Sequence, residues 1–138
     1  MRIFLDANIL FSAAASDGAI RRLVNTLLDL QHECWADEFV LTEATRNLAA
    51  KSPEALPWLE TLLKRIRIAP GHAPGPELTL VQWLPEKDRP VLAAAIRLRC
   101  DILVTGDRTH FGVAYGKKFA GVTVQSPRML AEQVLMRH

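Results

Sequence analysis

The sequence predicts an α/β protein, a parallel β-sheet with helices on both faces, on three observations. Short runs that are apolar throughout, as strands buried on both faces are, alternate with stretches of helical periodicity. At 138 residues, with 49% hydrophobic, 23% charged and 7% aromatic side chains, the chain has the size and composition of a single folded domain spanning 1–138. No apolar run approaches the roughly 18 residues that cross a bilayer, so the apolar positions are read as core.

The elements follow in order. Residues 2–5 are a first strand, ended by Asp6. Ile20, Leu23, Val24, Leu27 and Leu28 recur at helical spacing opposite Arg21, Arg22, Asn25 and Asp29, with Asp17 as N-cap. Residues 33–36 read as a second strand, after which Asp37 caps a helix to about Lys51. Its buried stripe is Val40, Leu41, Ala44 and Leu48, with Glu43 at the edge. Pro53 opens a helix through Leu56, Leu59, Leu62 and Leu63, and Pro57 falls near its first turn, where a missing N–H costs least. Residues 66–68 are a third strand. Pro70, Gly71, Pro74, Gly75 and Pro76 mark a loop, internal because a cut there leaves two halves each marginal as a core. Val91, Leu92, Ala95 and Leu98 mark a helix entered through Asp88 and Pro90. Residues 102–105 are a fourth strand running into Gly106 and Asp107, 122–124 a fifth, and Ser126-Pro127 begins a terminal helix with Leu130 and Val134.

Seventeen Lys and Arg against 15 Asp and Glu leave a net charge of +2, so no global field advertises a nucleic-acid partner. Cys34 and Cys100 have no second pair to build a disulfide framework or zinc site, and read as buried reduced thiols of a cytoplasmic protein. The opening Met1-Arg2-Ile3-Phe4-Leu5 imitates a signal peptide, but Asp6 and Asn8 interrupt it; a soluble, unprocessed chain with no membrane partner is expected.

The informative residues are acids. Asp6 and Asp107 each follow a short apolar strand, and in open α/β sheets ligand sites gather beyond the carboxyl ends of strands. Asp88, one turn before Leu92, points toward the sheet, and Glu43 joins from a helix edge. Singly each has a plainer role: Asp88 and Asp6 as helix caps, Asp107 as turn chemistry, Glu43 as a solvated flank. Together they repel, each pair at roughly 4 Å costing on the order of 4 kcal/mol against a total stability of about 5 to 15 kcal/mol. Such a cluster survives by protonation or by holding a cation. Carboxylate oxygens without His or Cys at ligand spacing suit Mg²⁺ or Mn²⁺ and not zinc. A metal so held suits phosphoryl chemistry, with phosphodiester hydrolysis the first reading; nucleic acid and small phosphorylated substrates both remain open.

The arrangement resembles the PIN-domain ribonucleases, many of them toxins of toxin–antitoxin pairs. The matching residues are Ile3-Phe4-Leu5-Asp6-Ala7-Asn8, Glu43 in Leu41-Thr42-Glu43-Ala44, Asp88 ahead of Val91-Leu92-Ala93-Ala94-Ala95, and Ile102-Leu103-Val104-Thr105-Gly106-Asp107, and with the strand at 122–124 they cover essentially the whole chain. The Asp-x-Asn element alone is weak; joined to the downstream Leu-Val-Thr-x-Asp block it is specific. The resemblance implies a three-layer fold on a five-stranded parallel sheet, one or two Mg²⁺ or Mn²⁺ ions, an RNA substrate and an antitoxin partner. It implies Asp6, Glu43, Asp88 and Asp107 as catalytic metal ligands, with Asn8 and Thr105 orienting ligands or water.

Family members often carry a further acid or Asn after the last Asp, whereas this chain reads Asp107-Arg108-Thr109-His110-Phe111. Thr109 is the polar substitute, and the missing acid counts against a tightly held second metal. His110 reads as a loop residue, or as one touching phosphate or moving a proton. Arg108, Lys117 and Lys118 are candidate phosphate contacts; Arg21, Arg22, Lys64, Arg65 and Arg67 read as solvated faces. Trp58 fits core or a homodimer face, with core preferred. Two other readings stand: a PIN-like binding module without catalysis, which the intact acid quartet opposes, and a haloacid-dehalogenase-type phosphatase, which would need an Asp where Asn8 stands.

Overall fold

The computed structural model describes residues 1–73 and 75–135. Six strands form one sheet in the order β3-β2-β1-β4-β6-β5: β1 (Arg2–Leu5), β2 (Glu33–Asp37), β3 (Arg67–Ala69), β4 (Ile102–Val104), β5 (Lys118–Phe119) and β6 (Val122–Gln125). Every pairing is parallel except β5 against β6. The apolar runs are buried on both faces as parallel strands require: Ile3, Phe4, Leu5 and Leu103 are fully inaccessible and Val104 nearly so. The sheet therefore has six strands rather than five. The extra strand is two residues long, too short for any period-2 signal, and is held by a two-residue turn at Ala120 and Gly121, both with positive φ (48° and 90°), the backbone a tight hairpin needs.

Among the described residues the sheet is accompanied by seven α-helices: α1 (Ala7–Ala15), α2 (Ala19–Asp29), α3 (Glu38–Lys51), α4 (Leu56–Leu63), α5 (Arg89–Arg97), α6 (Arg108–Phe111) and α7 (Pro127–Leu135). Asp37 caps α3 as expected, accepting from the Val40 N–H at 3.1 Å. Gly18, not Asp17, occupies the N-cap of α2. The helix opened at Pro53 starts with a 3₁₀ turn (Pro53–Ala55): Pro57 has no N–H to close an α turn onto the Pro53 carbonyl, which accepts from the Leu56 N–H instead. The third strand starts one residue later than expected, at Arg67. Short 3₁₀ turns at Pro76–Leu80 and Glu86–Asp88 give structure to the approach to α5.

Two surface readings change. Trp58 is 55% exposed rather than core, since α4 turns it outward, and the Arg21 guanidinium lies 4.3 Å over its ring. Arg21 is no solvated flank: it donates to the carbonyls of Ala13 and Ala14, which end α1 without helical partners. Arg65 and Arg67 are exposed as expected, Arg65 bonding Asn25 and Asp29 and Arg67 pairing with Glu33 at the surface. Cys34 and Cys100 are buried free thiols. Among the described residues no helix is long and apolar enough to cross a membrane.

Candidate metal centre

The parallel register of β1 and β4 sets Leu5 beside Val104, and the Asp6 N–H donates to the Val104 carbonyl at 3.1 Å. Asp6 and Thr105 therefore leave the sheet side by side. Thr105 is fully buried, and its hydroxyl donates to Asp6 Oδ2 at 2.8 Å while accepting from the Asp107 N–H at 3.1 Å. Asn8 ties the two strand ends together: its Nδ2 reaches Asp6 Oδ2 and Thr105 Oγ1, and its Oδ1 accepts from the Gly106 N–H at 2.8 Å. The turn after β4 is further fixed by the Tyr115 hydroxyl, which donates to the Thr105 carbonyl.

Asp6 caps a helix as its plainer role has it, Asp107 caps one where turn chemistry was expected, and each cap uses only one oxygen. Asp6 Oδ1 accepts from the Ala7 N–H and Asp107 Oδ1 from the His110 N–H, capping α1 and α6. Asp88, at the head of α5, makes no capping hydrogen bond at all. Its Oδ2 is shut off from solvent without a hydrogen-bond partner, although it lies 2.8 Å from His110 Nδ1. The same nitrogen lies 2.9 Å from Asp107 Oδ2, and that oxygen takes the ring's in-plane hydrogen bond.

A cavity of about 210 Å³ is lined by Asp6, Asn8, Glu43, Asp88 and Asp107, with Thr105 and His110 behind the acids rather than in its lining. Glu43, Asp88 and Asp107 also line a neighbouring cleft of about 870 Å³ beside α3 and α5. The four acids named from the sequence thus share one cavity. Asn8 and Thr105 tie Asp6 to the turn that carries Asp107. Thr109, Arg108, Lys117 and Lys118 are exposed and line neither hollow, and Lys118 sits in β5 rather than in a loop. His110 departs furthest from expectation: it lies half-buried in α6, with its ring between two acids. Among the described residues, the trio whose donor atoms lie within 4.8 Å of one another is Asp88, Asp107 and His110.

Basic and aromatic groups border the acids where sequence reading placed none. Phe11, Asn47 and Lys51 line the small cavity, and Phe39, Arg46 and Lys87 the large one. A signal existed: Phe39, Glu43, Asn47 and Lys51 recur every four residues along α3 and so form one stripe beside its buried face.

The electrostatics suit a cation. Burial, the largest influence, pushes the Asp6 carboxyl up to about 6, with Glu43 and Asp88 adding to it, against hydrogen bonds from Thr105 and the Ala7 N–H. Burial also raises Asp88, helped by Asp107 and opposed by His110 and Lys87. An orphaned buried oxygen on Asp88, oxygen donors on three further acids and one adjacent imidazole nitrogen fit a divalent ion. Asp6, Glu43, Asp88, Asp107 and His110 are the residues able to hold one.

The chain resembles known proteins in the same terms. Three solved structures share the fold. One is VapBC2 from Rickettsia felis bound to a DNA fragment from their promoter (16% identity, 91% of this chain and 98% of that chain, TM-score 0.65). Another is VapBC-1 from nontypeable Haemophilus influenzae (13%, 93% and 99%, 0.61), and a third is FitAB bound to an IR36 DNA fragment (16%, 91% and 94%, 0.64). A search of curated proteins returns no match. The PIN domain family model matches residues 2–109, from the first strand through the turn that carries Asp107, and with those strand-end acids in place the chain belongs to the PIN domain family.

Proposed function

We propose that the protein is a Mg²⁺- or Mn²⁺-dependent endoribonuclease that hydrolyses RNA phosphodiester bonds, acting as a toxin restrained by a cognate antitoxin protein. One observation carries the catalytic reading: Asp6, Glu43, Asp88 and Asp107, from four separate segments, line one cavity at the carboxyl ends of β1 and β4 despite their mutual repulsion. Family membership and the VapBC and FitAB neighbours support the toxin role.

Asp6, Glu43, Asp88 and Asp107 would hold the ion. A bound divalent ion neutralises phosphate charge and lowers the pKa of an attacking water. The chain's own part is positioning. Thr105 and Asn8 fix the Asp6 carboxylate, and the Asp107 main chain is held by Thr105. Arg46, Lys51 and Lys87 stand where backbone phosphates would enter, and the rings of Phe11 and Phe39 offer faces to unstacked bases. Arg108, exposed beside Asp107 in the chain but lining neither hollow, would be a further phosphate contact.

Incubation of end-labelled RNA with the purified protein tests this reading. Cutting is expected with Mg²⁺ or Mn²⁺, abolished by chelation, and reduced by about a hundredfold or more in Asp6→Asn and Asp107→Asn with the circular dichroism spectrum unchanged. Absence of metal-dependent cutting of any RNA would leave a binding module. Growth arrest on expression in a bacterial host, relieved by Asp107→Asn, tests the toxin role separately.

A further inference from the structure

We propose that His110 is itself a metal ligand, through Nδ1, and that this nitrogen makes the centre select Mn²⁺ over Mg²⁺. The inference rests on the metal-dependent reading above and adds to it which ion is taken and by which atoms.

The geometry carries the inference. Nδ1 lies 2.8 Å from Asp88 Oδ2 and 2.9 Å from Asp107 Oδ2. A ring nitrogen has one in-plane direction, filled either by a proton or by a lone pair. It serves Asp107, and Asp88 Oδ2 is left buried and without a hydrogen bond. Three donor atoms thus converge on one point, and no single proton satisfies them all. A cation there does, with the ring carrying its proton on Nε2 and turning the Nδ1 lone pair to the metal.

The ring is also built into place. Asp107 accepts from the His110 N–H with Oδ1, a bond that ligation leaves intact, and its Oδ2 lies 2.9 Å from Nδ1, a contact that a cation held between the same two atoms would replace. Asp107 is itself held by Thr105 through its N–H. A half-buried imidazole anchored in this way has lost little freedom when it ligates, which a solvated loop histidine would not share.

Selectivity follows from ligand chemistry. Mg²⁺ takes oxygen donors almost alone and keeps much of its water, whereas later divalent ions accept imidazole nitrogen with affinity rising along the first transition row. Adding one imidazole nitrogen to the carboxylates makes a mixed nitrogen–oxygen set, which disfavours Mg²⁺ relative to Mn²⁺.

Electron spin-echo spectroscopy of the protein loaded with Mn²⁺ reads the ligand directly, and calorimetric titration with Mn²⁺ and Mg²⁺ at one fixed pH reads the selectivity. The wild type is expected to show ¹⁴N coupling to bound Mn²⁺. In His110→Asn the coupling disappears, Mn²⁺ affinity falls by about tenfold or more, and Mg²⁺ affinity changes much less, so the preference collapses. His110→Asp, which restores an oxygen donor, shifts the preference toward Mg²⁺; its melting temperature and that of His110→Asn show whether both fold. Bound Mn²⁺ without ¹⁴N coupling, or unchanged affinities in a folded His110→Asn, overturns the proposal while leaving the metal reading intact. Failure of the wild type to bind either ion overturns the metal reading itself.

Discussion

Asp6 is a carboxylate the fold would rather keep protonated. Burial is the main reason its carboxyl titrates near 6 instead of 3.8, and Glu43 and Asp88 add to the effect. The folded metal-free chain therefore binds this proton more tightly than the unfolded chain. Its contribution to stability is complete below about pH 4 and is lost as the pH rises through 6, on the order of 3 kcal/mol. Urea unfolding of the chelator-treated protein should show this loss in the difference between wild type and Asp6→Asn, declining from pH 4 to pH 7; a flat difference would contradict it. Thr105 offers a second residue-scale test. Thr105→Val keeps the shape and removes the hydroxyl that donates to Asp6 and accepts from the Asp107 N–H. It is expected to cost about 1 to 3 kcal/mol in denaturant unfolding and to weaken metal binding by about tenfold. Asp6, Asp88, Asp107 and Glu43 were legible as a group because strand ends and one helix edge have sequence signatures. His110 was not, because its place depends on a four-residue helix whose only signature is the Asp that caps it.

Among the elements, the β5–β6 hairpin depends on Gly121. Its φ of 90° suits glycine, and a Cβ added there would meet nothing within 4 Å, so the cost of Gly121→Ala is conformational only. A loss of about 1 kcal/mol in thermal unfolding is expected, with Mn²⁺ affinity unchanged. The α1–α2 corner depends on Arg21, which ties down the last carbonyls of α1 and stacks on Trp58. Arg21→Ala should destabilise by about 1 to 2 kcal/mol through the lost charged hydrogen bonds, again without altering metal affinity. The long elements were readable from the sequence because their burial repeats: α3 hides Val40, Ala44 and Leu48 at spacing four, β4 is apolar throughout and β1 is apolar after Arg2. The pieces that escaped, β5, α6 and the 3₁₀ turns, are two to five residues long, below the length at which any period can register.

At the scale of the molecule, the site is a store of repulsion that a bound ion would release. Saturation with Mn²⁺ at a hundred times its dissociation constant should stabilise the protein by about 2.7 kcal/mol, seen as a rise in melting temperature that Asp107→Asn removes. An unchanged melting temperature across the titration would contradict a metal centre. The sequence alone determined the parallel α/β core, since apolar runs and amphipathic stretches admit few other ways to bury 49% hydrophobic residues in 138. It also determined which acids stand at strand ends, because the chain order of strands and carboxylates is local information. Only the tertiary structure decided what those acids meet. Strand β4 lies beside β1 across almost a hundred residues of intervening chain, and that pairing seats Thr105 on Asp6, while the packing around it brings Glu43 and Lys51 of α3 to the same cavity and sets His110 between Asp88 and Asp107. Contacts of that range arise from packing, which no periodicity in the chain encodes.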